Sequence, residues 1–141
     1  MIQCGDTVIL LDCGFSARET VARLERFGVT PEDVSAIVLT HEHADHASGV
    51  RACARRLDAP VWMTRGSHRA LGNETPPAEA VRFFTPHEPF AIGDIELNPF
   101  PVPHDAREPA QFVFSNGAVR LGFLTDIGTT TAHVEARLQG C

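Results

Sequence analysis

The sequence contains no lysine: all 12 of its basic residues are arginine, set against 18 acids for a net charge of −6. That shortage of positive charge excludes a domain that coats nucleic acid without sequence preference, because such binding depends on massed cations. A local phosphate patch is still compatible with it. Arginine suits bidentate phosphate contacts, although codon composition explains an all-arginine complement equally well. Long apolar runs are also missing. None approaches the ~20 residues that a membrane-spanning helix needs. Met1-Ile2-Gln3-Cys4-Gly5-Asp6 lacks the basic-then-apolar order of a secretory signal. Cys4, Cys13, Cys53 and Cys141 show no C-x-x-C spacing, and read as free, buried thiols of a reducing compartment. The expectation is a cytoplasmic chain without membrane contact. At 141 residues it is one domain at most, and 43% apolar residues suffice for a core.

The pattern that is present alternates strands with helices. Thr7-Val8-Ile9-Leu10-Leu11-Asp12 predicts a strand ending in an acid, and Ser16-Ala17-Arg18-Glu19 a capping box for a helix through Phe27, stopped at Gly28. Ala36-Ile37-Val38-Leu39-Thr40 predicts a short buried strand, and Ala47 to Leu57 a helix with Arg51, Arg55 and Arg56 on its polar side. Val61–Thr64 reads as a strand with Trp62 in the core, Gly66–Leu71 as a short helix, and Asn73–Ala80 as a loop. Beyond it the pattern turns to β structure: Val81–Phe84, Phe90–Ile92, and Ile95 onward after a Gly93-Asp94 turn. Gln111–Ser115 and Ala118–Thr125 flank Asn116-Gly117, a two-residue hairpin signal. Thr131–Leu138 returns to a helical period. The class is α/β.

The chemistry concentrates in His41-Glu42-His43-Ala44-Asp45-His46, where four potential metal ligands fall within six residues. Imidazole and carboxylate are the ligands of zinc and related divalent ions. Histidines crowded this closely repel once protonated, and a metal relieves the conflict. His41 and His43 can converge on one ion, with Asp45 and His46 facing a second. Two later residues share the setting of an ionisable group just past a β-run, namely His104 and Asp126. Strand ends on one sheet edge build common sites. His104 reads either as a third imidazole for the first ion or as a hydrogen-bonded loop histidine. Asp126 reads either as a carboxylate bridging two ions or as a turn cap before Gly128.

Thr40-His41-Glu42-His43-Ala44-Asp45-His46 resembles the H-x-H-x-D-H signature of the metallo-β-lactamase superfamily. Asp12 in Leu11-Asp12-Cys13-Gly14 matches its first motif, His104 its third and Thr125-Asp126 its fourth. Phe100-Pro101-Val102-Pro103-His104-Asp105-Ala106 and the hairpin after it look most like the WalJ/YycJ-type branch of bacterial exonucleases and phosphodiesterases. The resemblance implies an αββα sandwich, incomplete here, with residues 1–141 forming about the front two-thirds of a domain. It implies one metal on His41, His43 and His104, and a second on Asp45 and His46, with Asp126 between them. The ions would be zinc, or manganese. Asp12 would hold the histidine loop from outside the ligand set. The family's last histidine ligand has no match after His104. His133 is the sole candidate and sits in a helical pattern too close to Asp126. The strand and Gly/Ser-rich turn that the family places before the Val8–Asp12 segment are not evident either.

Two such ions ~3.5–4 Å apart acidify a shared water to hydroxide near neutral pH, and Asp45 is the residue placed to orient it. The implied activity is a metal-dependent phosphodiesterase of nuclease type with a phosphodiester substrate such as DNA. Alternatives are hydrolysis of a small thioester, ester, lactone or lactam, and an inactive metal-binding fragment. Arg51, Arg55, Arg56, Arg65 and Arg69 form either a phosphate groove or a solvated face. His68 and His87 read as ordinary polar residues, and Asp105 as a partner for a ligand imidazole or a loop cap. A missing strand pair would expose sheet edge and favour self-association.

Overall fold

Successive side chains of a strand point to opposite faces of its sheet, and in this chain both faces are apolar. The computed structural model describes residues 1–141. On β2 (Thr7–Leu11), Val8 and Leu10 face a helical layer while Ile9 and Leu11 face a second sheet. On β3 (Val34–Val38) and the residue after it, Ile37 and Leu39 face the helices and Val38 the second sheet. Strands buried on both sides are what a parallel sheet within an α/β stack requires.

The first sheet has the order β1 (Ile2–Cys4), β2, β3, β4 (Val61–Met63), β5 (Val81–Phe83). β1 pairs antiparallel with β2, and the remaining pairs are parallel. The second sheet is an antiparallel meander of β6 (Phe90–Ile92), β7 (Ile95–Pro101), β8 (Ala110–Ser115) and β9 (Arg120–Phe123). Phe112, Phe114, Leu97 and Ile95 from the second sheet pack on Ile9 and Val38 of the first. Helices α1 (Ala17–Glu25) and α3 (Val50–Leu57) cover the outer face of the first sheet through Leu24, Val50, Cys53 and Leu57. The short helix α2 (Ala44–Ala47) precedes α3, and α4 (Arg65–Ala70) follows β4. Helix α5 (Ala132–Leu138) covers the second sheet, Val134 meeting Phe100 and Val113. The result is the four-layer αββα sandwich implied by the motifs.

Several expectations change in detail. A strand does precede the Thr7–Leu11 segment, turning back through Gly5-Asp6. The helix expected over Ala47–Leu57 begins at Val50, because the Gly49 amide donates to the Cys13 carbonyl at 2.8 Å instead of continuing a helix. Asp45 and His46 lie on the helical turn α2, not in a loop. The Asn116-Gly117 hairpin closes through four residues, since Ser115 pairs with Arg120. Asn116 directs that outcome, its Oδ1 accepting from the amides of Ala118 and Val119. The expected loop over Asn73–Ala80 holds 3-10 turns at Gly72–Glu74 and Ala78–Ala80. Trp62 is half-buried and stacks on Phe90 at 4.8 Å between ring centroids. Of the four free thiols, Cys13 and Cys53 are buried, Cys4 is half-buried and Cys141 exposed. Strand β9 is an edge of its sheet and carries exposed Leu121, with exposed Val119 just before it.

Candidate metal centre

The ionisable residues of the site leave the carboxyl ends of four strands. Asp12 follows β2 directly, and His41, His104 and Asp126 each lie three residues past the end of β3, β7 and β9. β2 and β3 run parallel, while β7 and β9 both run antiparallel to β8 and so point the same way. The two sheets are joined at this end by the Ala110 amide donating to the Thr40 carbonyl at 3.0 Å. His104 Nε2 lies 3.2 Å from His41 Nε2 and 3.1 Å from His43 Nδ1. His46 Nε2 lies 2.6 Å from Asp126 Oδ2, which is 3.5 Å from His41 Nε2. Two donor triads result: His41, His43 and His104, and His41, His46 and Asp126.

Asp12 organises both triads without entering either. Its Oδ1 accepts from the Thr40 amide at 2.8 Å, and its Oδ2 from the Thr40 hydroxyl at 2.8 Å and from His46 Nδ1 at 2.9 Å. Because the Thr40 hydroxyl donates to Asp12, it offers a lone pair to the fully buried His41, whose Nδ1 lies 3.0 Å away. His41 therefore carries its proton on Nδ1 and turns an Nε2 lone pair into the cluster, whereas His46 donates from Nδ1 to Asp12 and from a protonated Nε2 to Asp126 Oδ2, 2.6 Å away. This is the arrangement by which a carboxylate fixes the tautomer of metal-binding imidazoles. Three ring nitrogens at these separations, with lone pairs converging, call for a shared cation. Ligand nitrogens ~2.0–2.1 Å from a tetrahedral ion stand roughly 3.4 Å apart, close to the observed spacing. The donor set thus fits a first-row divalent ion.

Charge divides the two triads. Hydrogen bonding to Asp12 pushes the His46 imidazole up to about 9 against the pull of burial, with Asp126 adding to the rise. Burial, followed by the nearby His46 charge, pushes His41 below its usual value. Asp126 is held below the ordinary carboxylate range: burial opposes that shift, and the His46 hydrogen bond and charge outweigh it.

The neighbouring scaffold explains residues whose role the sequence leaves silent. Glu42, inside the histidine motif, points away from the donors. Its Oε1 accepts from the Arg107 amide at 2.7 Å and its Oε2 from the Ser67 hydroxyl at 3.1 Å, tying the loop after His104 to α4. Gly14 lies so close to α2 that any Cβ there would overlap the Asp45 carbonyl oxygen. The Cys13 amide donates to the His46 carbonyl at 2.7 Å beside it. Gly14→Ala is expected to displace α2 and destabilise the chain by roughly 3 kcal/mol. It is also expected to weaken metal uptake at His46, and thermal melting with and without metal checks both effects.

The remaining candidates fall on either side of the cluster. Asp45 Oδ2 is 3.5 Å from His46 Nε2, but its side chain is 77% exposed and stands outside both triads. Asp105 Oδ1 lies 3.3 Å from His104 Nδ1 and 3.9 Å from His43 Nε2, on the solvent side. His133 is not brought to the site: it lies on α5, with its ring 6.3 Å from that of Phe100. His68 packs edge-on to Phe83, and His87 is exposed.

The model of the beta-lactamase superfamily domain matches residues 7–141. Exodeoxyribonuclease YycJ of Bacillus anthracis is 33% identical over 136 residues, covering 94% of this chain and 51% of that protein. Exodeoxyribonuclease WalJ of Streptococcus pneumoniae is 29% identical over the same length, with coverage of 94% and 49%. Among solved structures, Rm3 metallo-beta-lactamase superposes with a TM-score of 0.70 at 22% identity, over 84% of this chain and 51% of that one. The metallo-beta-lactamase fold protein YhfI of Bacillus subtilis gives 0.69 at 18%, over 88% and 52%. The chain spans about half the length of the curated relatives it matches. Fold, motif spacing and matched length agree, and the chain belongs to the beta-lactamase superfamily domain family.

Proposed function

We propose that the chain carries the metal-binding half of a metal-dependent phosphodiesterase of the DNA exonuclease type. The observation behind this reading is the relay from Asp12 through Thr40 to His41, with its branch to His46. It turns the His41 Nε2 lone pair into the cluster, and aims His46 Nε2 at the same place, before any ligand arrives. His41, His43 and His104 would hold one divalent ion. His46 and Asp45 would hold a second, with Asp126 reaching toward both. Zinc suits the donors, and manganese is accepted by the same set. Such ions supply Lewis acidity and an acidified water for attack at phosphorus.

The chain's own residues provide the rest. Asp12 and Thr40 keep the His41 proton on Nδ1, off the Nε2 that faces inward, and Asp12 holds His46 with its Nε2 toward the same cluster. The exposed Asp45 carboxylate is free to orient the attacking water and accept its proton. Buried His41 and the apolar strand ends beneath it keep the floor of the site dry, which strengthens every charge interaction above it. The similarity to two exodeoxyribonucleases over 94% of the chain supports DNA as the substrate. The free thiols support a reducing, cytoplasmic setting, and no helix is long and apolar enough to cross a membrane. Edge strand β9, with Leu121 exposed, supports association through that edge.

Tightly bound metal per chain, measured by mass spectrometry beside a His43→Ala control, tests the reading. Near two ions per chain are expected, with loss in the control, together with turnover of bis-p-nitrophenyl phosphate above that of a thioester and lactone panel. A chain that binds no metal, or that prefers the thioester or lactone, overturns it.

A further inference from the structure

The arginines separate into two groups once folded. Arg51 donates to the Asn73 carbonyl at 2.9 Å, and Arg55 lines a hollow shared with Asp58 and Glu79. Arg51 is thereby accounted for by a local contact. Arg65 and Arg69 of α4 instead meet Arg107, which is distant in sequence and lies in the loop after His104. The three line a depression of about 600 Å³ with Gly66 and Glu108, and no apolar side chain enters it.

This cluster stands out in a chain of net charge −6. All three arginines are exposed, and no carboxylate lies within the 4.0 Å of an ion pair. The one acid in the depression, Glu108, is engaged: its Oε2 accepts from the Gly66 amide at 2.7 Å. Arg65 is held in place, its guanidinium 4.4 Å above the Phe83 ring. Like charges are gathered here without partners, which costs free energy unless an anion joins them.

The depression is tied to the metal-binding loop by hydrogen bonds. Glu42, between His41 and His43, binds both the Arg107 amide and Ser67 of α4. The same contacts therefore place the arginines and the loop that carries His104.

We propose that Arg65, Arg69 and Arg107 form a phosphate-binding subsite that holds the backbone of a nucleic-acid strand beside the metal centre. The proposal rests on the phosphodiesterase reading and adds residues that the ligand motifs do not contain. Guanidinium contacts to phosphate oxygens carry no information about sugar or base, so DNA and RNA strands are held alike. Any selection of DNA arises at the centre itself.

The test is anisotropy of fluorescein-labelled dT12 and rU12 strands with the 141-residue chain, in EDTA so that nothing is cut. The Arg69→Gln/Arg107→Gln variant is compared with an Arg55→Gln/Arg56→Gln control. Expected is a roughly 10- to 100-fold weakening in the first variant at low salt, the same for both strands. Its salt slope should be shallower by about 0.7 per lost phosphate contact. The control should bind as the parent does. Equal binding by both variants, or a loss confined to one kind of strand, overturns the subsite. Turnover of bis-p-nitrophenyl phosphate by the unmodified chain tests the phosphodiesterase reading separately. Arginine-dependent binding without such turnover would sink that reading and retain the subsite. Turnover with arginine-independent binding would do the reverse.

Discussion

Asp12→Asn is expected to weaken divalent-metal binding by roughly 10- to 100-fold, the range seen when outer partners of ligand histidines are removed. The change is isosteric, and its effect follows from proton direction. The introduced amide can still accept from the Thr40 amide through its oxygen, but an NH2 then replaces the oxygen that receives both the Thr40 hydroxyl and His46 Nδ1. The hydroxyl must turn to accept from that NH2, and its own proton then points to His41 Nδ1, 3.0 Å away. His41 responds by moving its proton to Nε2, the atom that faces His104. His46 loses its charged partner at the same time. The backbone gives no competing explanation, because Asp12 sits at φ +61°, a region that asparagine tolerates as well as aspartate does. Asp12→Ala adds a buried, unsatisfied Thr40 amide, worth about 1–3 kcal/mol, and so mixes stability with affinity. Competition with a chromophoric chelator, beside metal-free melting curves, separates the two. Parent-like affinity in Asp12→Asn would show that the relay does not set the tautomers.

How much of this is legible in the sequence depends on how local each feature is. The donors are legible because three of them, His41, His43 and His46, lie in one hexapeptide after an apolar strand, and the others each follow a β-run. The strands are legible as apolar runs, but which residues of β2 face the helices and which the second sheet is not, because both faces are buried. The assignment of Glu42 is not legible. Its type and spacing suit a ligand, and only the return of residues 104–108 past α4 reveals its partners. Gly14 and Gly49 look like ordinary turn glycines. Their necessity comes from backbone pressed against them, the Asp45 carbonyl in one case and the Phe15 carbonyl in the other. The arginine groove is half legible. A helical period groups Arg51, Arg55 and Arg56 together, yet the folded cluster pairs Arg65 and Arg69 with Arg107. Sequence periodicity reports one element's face, whereas a site is made by residues that separate elements bring together.

Metal loading is expected to split with pH, the His41 triad filling first and the His46 side requiring more alkaline solution. The sign follows from the protons. His41 is pushed below its usual value, so its Nε2 is unprotonated at neutral pH and open to a cation. His46 is pushed up to about 9, so at neutral pH it carries a proton that a metal must displace. Between pH 7 and that value, about two units apart, apparent affinity at His46 rises by at most about 100-fold, at ~1.4 kcal/mol per unit. Charge from the first ion eases the proton off His46, which narrows the gap while keeping its direction. The metal-free chain should show the opposite trend. Its bonds from His46 to Asp12 and Asp126 stabilise the fold fully below the ordinary histidine value, near pH 6.5, and that contribution is lost as pH rises through about 9. Calorimetric zinc titrations at about pH 6.5, 7.5 and 8.5, in buffers of differing ionisation enthalpy, measure the protons released by each ion. More protons released by the ion that takes His46 than by the ion that does not are expected at about pH 7.5. Identical pH slopes for the two ions would mean that Asp12 and Asp126 do not hold the His46 proton. In that case the charge division between the triads has no part in metal assembly.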